Sequence, residues 1–405
     1  MAKEEILNSL DIGTTKVCLI VSRIDEDGGI EVLGYGSVPA AGALRKGVII
    51  NLDRAVGAIE EAVEQAEQMS GLKVKNVVTS VGGIYLKGTN SNGNRTISRG
   101  NKEITRGDIR AVIEASCELS IPLDQEIIFI YPQEYIVDGQ DGIKDPPCGL
   151  TGENLGVKVH LFMGAITSLQ NVIKSINLSG IRVINTIPAP LAAALAVLAE
   201  DEIENGVALV DLGGGTTTVS VFLKGAIIHT CVLGLGGEQI TGDISVGVRS
   251  SYEVAERLKK EYSYLTLQAE EGDIEVPGLG GRGSHIVSKL TMREIIQARI
   301  EEILEFVKAE IRKTGYQDLL SAGVVITGGV SNTKGILEFA EDVLKMPVRL
   351  GLPGGIVLRG EVSALSDPAY AVAIGLLSHS KLKGYSTFAR GSFGERLKRW
   401  FQNFF

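Results

Sequence analysis

The apolar positions of this chain follow two spacings, one typical of strands and one typical of helices. Continuous apolar runs at residues 17–24 and 207–212 predict buried strands. Leu52, Val56 and Ile59 recur every three to four residues, which predicts an amphipathic helix. Because strand and helix patterns alternate over most of the length, the sequence predicts an α/β fold.

The pattern changes between residues 83 and 162. Residues 90–95 are polar and contain Asn92-Gly93, a pair typical of two-residue hairpin turns, so we expect a turn there. A helix beginning at Thr105 and strand-like runs at 127–137 and 157–162 follow. This block is therefore predicted to be an α+β subdomain inserted into the first half of the chain.

Composition excludes several classes of protein. The 405 residues are 44% hydrophobic and carry a net charge of −9, so we expect a globular protein without the basic surface of a nucleic-acid partner. The four cysteines and four histidines are scattered, which argues against a zinc site or a disulfide framework. The first ten residues contain no apolar signal sequence, so a cytoplasmic location is expected.

Two segments 200 residues apart share one plan, an apolar strand followed by an aspartate, glycines and hydroxyl residues. They are Asp11-Ile-Gly-Thr-Thr-Lys16 and Asp211-Leu-Gly-Gly-Gly-Thr-Thr217. Glycines allow tight turns whose N–H groups point at phosphate oxygens, and carboxylates suit hydrated Mg²⁺. The predicted phosphate-binding residues are Asp11, Gly13, Thr14, Thr15, Lys16, Asp211, Gly213, Gly214, Gly215, Thr216 and Thr217, and Asp11 and Asp211 are predicted to hold magnesium through water.

A third glycine pair, Gly328-Gly329, follows the apolar strand that ends at Thr327. Paired glycines at the end of a strand let the backbone approach a ligand closely. The alternative is that all three segments are glycine turns at sheet edges with no ligand. Their occurrence in this order favours a nucleotide site.

These segments resemble the actin-like ATPases, and within them the FtsA family of bacterial cell-division proteins, over essentially the whole chain. Further motifs that carry the resemblance are Arg45-Lys-Gly-Val48, Asp145-Pro-Pro-Cys-Gly149, Val157-Lys-Val-His160, Leu233-Gly-Leu-Gly-Gly237, Ile326-Thr-Gly-Gly-Val-Ser331, Met346-Pro-Val-Arg349 and Leu365-Ser-Asp-Pro-Ala-Tyr370. The resemblance implies two ribonuclease-H-like halves around a cleft that holds ATP and Mg²⁺. It also implies that the adenosine is surrounded by Gly236, Gly237, Glu256, Lys259, Gly328, Gly329 and Val330; for Glu256 and Lys259 the alternative is an exposed ion pair on a helix.

The same resemblance implies a division of the chain into subdomains. These are subdomain 1A at 1–82, 163–203 and 360–377; the inserted subdomain 1C at 83–162; subdomain 2A at 204–243 and 315–359; subdomain 2B at 244–314; a flexible linker at 378–392; and an amphipathic helix at 393–405.

No catalytic residue is nominated. Hydrolysis of a terminal phosphate needs a group that orients or deprotonates water. In MreB-type relatives a glutamate precedes the corresponding turn, whereas this chain has Pro188 and Ala189 there. We therefore expect ATP binding with slow hydrolysis at most.

The last thirteen residues predict a helix that lies in the plane of a membrane. The apolar face consists of Phe393, Leu397, Trp400, Phe401 and Phe404, with Phe405 at the end, and Arg396, Lys398 and Arg399 flank it. Aromatic residues on one side and cations at the margins favour an anionic membrane surface. The alternative is a terminal helix that packs against the body of the protein.

By the resemblance, the chain would polymerise on the inner face of the cytoplasmic membrane at the division site, bind the C-terminal peptide of FtsZ and recruit later division proteins through the insert. The residues nominated for the FtsZ peptide are Lys289, Arg299 and Glu302, for which a solvated helix face is the alternative. Two other functions remain open at this stage: an actin-like assembly protein of type IV pili or secretion, and a small-molecule kinase on the same fold.

Overall fold

A computed structural model describes residues 5–24, 29–98, 100–265, 272–354, 358–360, 363–382 and 385–386. Its strands, in chain order, are β1 (Glu5–Ile12), β2 (Lys16–Ile24), β3 (Ile30–Pro39), β4 (Leu44–Arg45), β5 (Val48–Ile49), β6 (Asn76–Val81), β7 (Lys87–Thr96), β8 (Gln125–Val137), β9 (Gln140–Ile143), β10 (Asn154–Ala165), β11 (Arg182–Pro188), β12 (Val207–Leu212), β13 (Thr217–Leu223), β14 (Ala226–Leu233), β15 (Asp273–Val276), β16 (His285–Ser288), β17 (Val324–Thr327), β18 (Val348–Leu350), β19 (Leu358–Gly360) and β20 (Tyr385–Ser386).

The α-helices of the described residues are α1 (Leu52–Ser70), α2 (Arg106–Ser116), α3 (Ile166–Leu178), α4 (Ala189–Val197), α5 (Glu200–Asn205), α6 (Gly237–Gly247), α7 (Tyr252–Tyr262), α8 (Lys289–Lys313), α9 (Ile336–Leu344) and α10 (Ala371–Gly375). Short 3-10 helices lie at Leu279–Gly281, Gln317–Leu319, Gly329–Asn332, Ser363–Ser366, Pro368–Tyr370 and Leu376–Lys381. The tail helix predicted at residues 393–405 lies outside the described residues.

The first half of the molecule is built on a six-stranded sheet in the order β11-β6-β1-β2-β3-β19. Residues 17–22 of β2 are all buried. Leu19 packs in the core that contains α1, whereas Ile20 packs in the core on the opposite face of the sheet. Because both faces of β2 are covered, its sequence is a continuous apolar run and does not alternate.

The second half repeats this plan on a five-stranded sheet in the order β14-β13-β12-β17-β18. In each half a strand pairs antiparallel with the next strand and parallel with a later one: β1 with β2 and β6, and β12 with β13 and β17. This repetition confirms the predicted α/β fold of two related halves. It also places the two aspartate-glycine turns at equivalent positions of the two sheets.

Helix α1 has clear sequence signals at both ends. The Asn51 side chain accepts a hydrogen bond from the Arg54 N–H at 3.0 Å, and Gly71 ends the helix in the left-handed conformation. Its buried face consists of Ile59 and the alanines at 55, 58, 62 and 66. The small alanine side chains let the helix lie close to β3 in the first half.

The inserted subdomain has its own sheet, in the order β20-β8-β10-β7, with β9 added to β8. The hairpin turn predicted at 90–95 is wrong, because these residues lie inside β7 and pair with β10 from Lys87↔Met163 to Thr96↔Asn154. Helix α2 passes over Gly93, where an added Cβ would lie 2.0 Å from the Val112 carbonyl oxygen. Gly93 therefore allows the helix to pack closely against the strand and does not form a turn.

Polar side chains of the insert reach the edge strand β14 of the second half. Asn90 Nδ2 donates to the Ile228 carbonyl at 2.8 Å, and Gln133 Nε2 donates to the Ile227 carbonyl at 2.7 Å. His160 Nδ1 lies 2.7 Å from Asn90 Oδ1, and its Nε2 lies 3.1 Å from Thr230 Oγ1. The insert therefore contacts both halves of the molecule.

Five predicted boundaries fall inside structural elements, and those at 163 and 204 cut β10 and α5. The boundary at 360 cuts β19, which pairs with β3 of the first sheet, and the boundary at 244 cuts α6. The linker predicted from 378 begins too early, because Ser378 is buried within a 3-10 helix. Tyr385 then pairs with Ile130 of β8. None of the helices in the described part of the chain is long and apolar enough to cross a membrane.

Candidate functional site

The two aspartate-glycine turns have the same length and the same closing hydrogen bond. The Gly13 N–H donates to the Lys16 carbonyl at 2.8 Å, and the Gly213 N–H donates to the Thr216 carbonyl at 2.9 Å. We call the turn at residues 11–16 loop 1 and the turn at 211–216 loop 2. Their shared geometry makes Lys16 of loop 1 the structural equivalent of Thr216 of loop 2.

The two loops meet face to face. A Cβ added at Gly214 would lie 2.3 Å from Thr15 Cγ2, and a Cβ added at Gly215 would lie 2.6 Å from Thr14 Oγ1. Such distances are far inside van der Waals contact, so side chains of loop 1 occupy the space that glycines leave open in loop 2. Both loops line one cleft of about 660 Å³ between the halves.

The cleft brings together most of the residues predicted from the sequence. Those in its wall are Asp11, Gly13, Thr14, Thr15, Lys16, Asp211, Gly213, Gly214, Gly215, Thr216, Gly237, Glu256, Lys259, Gly328, Gly329 and Val330. Thr217 and Gly236 do not line it. Thr217 is buried in β13 and donates its hydroxyl proton to the Leu235 carbonyl at 2.9 Å, and Gly236 packs behind loop 2 against the Gly213 carbonyl.

Asp11 of loop 1 and Asp211 of loop 2 lie near each other, and their carboxylates are partly desolvated. The Ser80 hydroxyl donates to Asp11 Oδ1 at 2.7 Å. Desolvation raises the pKa of both carboxyls, and with the added repulsion from Asp11 the pKa of Asp211 reaches about 6. Carboxylates that repel each other are stabilised by a cation between them. The oxygen donors present here therefore fit a hydrated magnesium ion.

Lys16 supplies a positive charge at the same end of the cleft. Its Nζ donates to the Ala369 carbonyl at 2.6 Å and lies 3.4 Å from the centroid of the Tyr370 ring. Desolvation lowers the pKa of Lys16, while the charges of Asp11 and Asp211, among others, oppose that shift. These contacts hold the ammonium group at a fixed place beside the aspartates.

Glu256 and Lys259 on α7 form part of the opposite wall. Lys259 Nζ donates to Glu256 Oε2 at 2.6 Å, to Thr241 Oγ1 at 2.8 Å and to the Gly237 carbonyl at 3.1 Å. Desolvation of Glu256 raises its pKa, but the hydrogen bonds from Lys259 and Thr241 outweigh it, and the net shift is downward. The pair is therefore part of the cleft and not an exposed pair on a helix.

The glycine loop after β17 closes the cleft next to loop 2. Gly328 has φ +87°, and a Cβ there would lie 2.3 Å from Asp211 Oδ1. A side chain at this position would therefore be strained and would strike the aspartate.

Several wall residues were missed by the sequence reasoning, namely Gly47, Ser80, Gly82, Gly83, Asn332 and Thr333. Gly82-Gly83 follows the apolar strand β6 just as Gly328-Gly329 follows β17, so a signal was present. Ser80 carries no such signal, because its partner Asp11 is 69 residues away in the sequence.

The nominated peptide-binding residues are not brought together as one group. Arg299 donates to both carboxylate oxygens of Asp243 on α6, at 2.6 and 3.1 Å, and also contacts Glu302. Lys289 begins α8, ten residues before Arg299, which places it about 15 Å away along the helix. Its ammonium lies 6.0 Å from the Tyr262 ring centroid.

Two family models match the chain. The model described as Cell division protein FtsA matches residues 208–375, and the model described as SHS2 domain inserted in FTSA matches residues 83–163. Relatives that carry the name Cell division protein FtsA include those of Pseudomonas aeruginosa, 37% identical over 99% of this chain and 98% of the relative, and Bacillus subtilis, 39% identical over 93% and 84%.

Solved structures with similar folds have much lower identity. The PilM-PilN type IV pilus biogenesis complex has a TM-score of 0.67 at 16% identity and covers 92% of this chain and 97% of that chain. MreB5 of Spiroplasma citri bound to ADP has a TM-score of 0.55 at 15% identity and covers 92% and 94%. At these identities the likeness shows the fold alone, and that fold is the actin-like one.

Proposed function

The chain belongs to the FtsA family of cell division proteins, and on that premise we propose that it binds ATP and Mg²⁺ between its halves and polymerises beneath the cytoplasmic membrane. The observation that carries the nucleotide proposal is the meeting of loops 1 and 2 in a single cleft. Where the loops meet, the cleft wall contains the carboxylates of Asp11 and Asp211, the ammonium group of Lys16 and glycine turns of the kind that bind phosphates.

Each group of the cleft has a defined part in this proposal. Backbone N–H groups of the loops bind phosphate oxygens, Lys16 supplies a positive charge, and Asp11 and Asp211 hold water molecules of the magnesium ion. Glu256, Lys259 and the 328–330 loop surround the adenosine. The bound magnesium ion neutralises part of the phosphate charge.

Slow hydrolysis is part of the proposal. Ala189, the first residue of α4, lines the cleft where a water-orienting glutamate or amide would be expected from the resemblance to MreB-type proteins. A methyl group cannot polarise water. Nucleotide would therefore act mainly as a ligand that controls conformation and assembly.

Titration of the full chain with a fluorescent ATP analogue tests the nucleotide proposal. Binding is expected with Mg²⁺ and is expected to weaken when EDTA removes it. Phosphate release should remain far below the ordinary enzymatic range of about 1–10³ s⁻¹. Absence of binding at millimolar ATP with Mg²⁺ would contradict the proposal.

Membrane anchoring is proposed from the sequence of the tail, which lies outside the described residues. Each cation near an anionic surface contributes about 1 kcal/mol, and one amphipathic helix gives modest, reversible binding. Many tails on one polymer would bind more tightly, because effective concentration converts later contacts into intramolecular ones. The family supports a location at the division site, and we propose a peripheral protein on the cytoplasmic face.

Liposome flotation on anionic vesicles tests this anchor. The full chain is expected to float, and a truncation ending at Ser392, which retains β20, is expected to stay in solution. Trp400→Glu should abolish flotation, whereas the matched control Gln402→Glu adds the same charge on the opposite face of the helix and should retain it. Equal behaviour of the two variants would show that the apolar face does not enter the membrane.

We further propose that the polymer anchors FtsZ filaments by binding the FtsZ C-terminal peptide at the subdomain that contains α8, and that the insert recruits later division proteins. Fluorescence anisotropy with a labelled peptide checks this. Lys289→Ala and Arg299→Ala are each expected to weaken binding of the peptide. If the unmodified chain does not bind the labelled peptide, the FtsZ proposal is contradicted.

The two alternatives are less well supported. A pilus-assembly protein and a small-molecule kinase share the fold, but neither is the family to which this chain belongs. A kinase would show ATP turnover that depends on a small-molecule substrate, and it would give the amphipathic tail no purpose.

A further inference from the structure

The turn between β4 and β5 lies against loop 1. Its two central residues, Lys46 and Gly47, have φ values of +53° and +75°, as in the tight hairpin turns that match strand twist. The N–H of Gly47 donates to Thr14 Oγ1 at 2.9 Å. Gly47 is itself part of the cleft wall, so this hydrogen bond lies beside the candidate phosphate site.

The direction of this hydrogen bond decides what the Thr14 hydroxyl can do. A hydroxyl group has one proton and two lone pairs, so a threonine that accepts from Gly47 keeps its proton for another acceptor. Thr217 of the second half provides the contrast, because its proton is donated to the Leu235 carbonyl. Phosphate oxygens accept hydrogen bonds, and Thr14 is therefore left as a donor.

The same turn also touches the first residues of the inserted subdomain. The Lys46 carbonyl accepts a hydrogen bond from the Ile84 N–H at 3.2 Å. Gly47 and Gly83 are in backbone contact, since a Cβ at Gly47 would lie 2.4 Å from Gly83 Cα. A displacement of the turn would therefore also move the residues at which the chain enters the insert.

We propose that Gly47 is a positioning residue that orients the Thr14 hydroxyl toward a phosphate, and that the β4–β5 turn carries this contact to the insert at Ile84. The inference rests on the proposed nucleotide function. The β4–β5 turn would then be a third element of the phosphate site, beside loops 1 and 2. The same turn would connect the insert directly to the nucleotide cleft.

Hydrogen exchange of the full chain, resolved to single amides by mass spectrometry with electron-transfer fragmentation, tests the inference together with ATP titration. Thr14→Val removes the acceptor and keeps the side-chain shape. Without nucleotide, the Gly47 amide should then exchange roughly two- to tenfold faster, as expected for one lost hydrogen bond. ATP affinity should fall by about tenfold, and Thr14→Ser should restore both quantities.

Thr15→Val is the matched control, because it removes the neighbouring hydroxyl of the same loop. ATP affinity can change in this variant, but exchange at Gly47 should not. In the unmodified chain, ATP with Mg²⁺ should slow exchange at both Gly47 and Ile84. Melting temperatures of all variants separate these local effects from a general loss of stability.

Two results would overturn the inference while leaving nucleotide binding intact. One is an unchanged Gly47 amide in Thr14→Val, and the other is the same acceleration in Thr15→Val. Unchanged exchange at Ile84 when nucleotide binds would overturn the connection to the insert. If the unmodified chain binds no nucleotide at all, the proposed function fails and the inference fails with it.

Discussion

Loops 1 and 2 share a turn geometry and differ in what they present to the cleft. Loop 1 carries Thr14, Thr15 and Lys16, whereas loop 2 carries Gly214, Gly215 and Thr216 at the equivalent positions. The threonines of loop 1 fill the space above the glycines of loop 2. The comparison shows that two copies of one local fold can become complementary, one supplying side chains and the other supplying backbone.

This complementarity accounts for the different residues at equivalent positions of the two loops. Threonines on both sides would collide, because the position of a Cβ at Gly214 is already 2.3 Å from Thr15 Cγ2. Glycines on both sides would leave the cleft without hydroxyl donors. Lys16 interacts electrostatically with the aspartates of both loops.

The largest expected difference between the loops is in the loss of nucleotide affinity when Lys16 or its equivalent Thr216 is replaced. Lys16→Ala should weaken binding of ATP with Mg²⁺ about a hundredfold, since hydrogen bonds to charged groups contribute about 1.5–3 kcal/mol. Thr216→Ala removes only a neutral hydroxyl and should cost less than about tenfold. Nucleotide titration of both variants measures the difference, and equal losses would refute the division of roles between the loops.

A methyl group on loop 2 should disturb the contact between the loops. Gly214→Ala is expected to weaken nucleotide binding by roughly tenfold, because overpacking costs about 1–3 kcal/mol and Thr15 lies in the way. Adding Thr15→Ala should recover part of the loss. Additive losses in the double variant would show that the two residues do not interact.

Asp211 should make the nucleotide-free protein pH-sensitive. Its pKa is raised from 3.8 to about 6, first by desolvation and then by the Asp11 charge, so the stability gained from the neutral form is lost as pH rises through about 6. Asp211→Asn should therefore raise the free energy of unfolding at pH 8 by about 3 kcal/mol, since each pKa unit corresponds to about 1.4 kcal/mol, and change it little at pH 4. Denaturant unfolding at both pH values checks this.

The smallest expected effect is on magnesium affinity when the hydrogen bond from Ser80 to Asp11 is removed. Ser80→Ala removes the hydroxyl that donates to Asp11 Oδ1, a hydrogen bond worth about 1 kcal/mol. The magnesium concentration needed for half-maximal nucleotide binding should rise by roughly threefold to fivefold, while binding in EDTA stays the same. An equal change in both conditions would place Ser80 in general packing and not in support of the metal site.

The sequence predicts the site well where its signals are local. Each aspartate-glycine loop is complete within seven residues, so both could be recognised before their meeting was known. Ser80 and Gly47 could not be recognised, because their partners Asp11 and Thr14 lie 69 and 33 residues away. Only the folded chain brings these residues together.

The errors in the fold have a similar cause. Asn92-Gly93 favours a turn in isolation, but pairing with β10 and the approach of α2 override this preference. The small and polar residues after Ser378 suggested a linker, yet the chain continues in a 3-10 helix and then adds β20 to the insert. In both places tertiary contacts outweigh local composition.

The hydrogen bonds from the insert to the edge strand β14 determine what removal of the insert would expose. Asn90 and Gln133 occupy the Ile228 and Ile227 carbonyls at the outer edge of that strand, and His160, whose pKa burial lowers to about 3, stays neutral among them. Excision of residues 83–162 would uncover a bare sheet edge that could template pairing between molecules. The insert thus covers this edge of the second sheet, and with the insert in place the edge is not open to pairing with a second molecule.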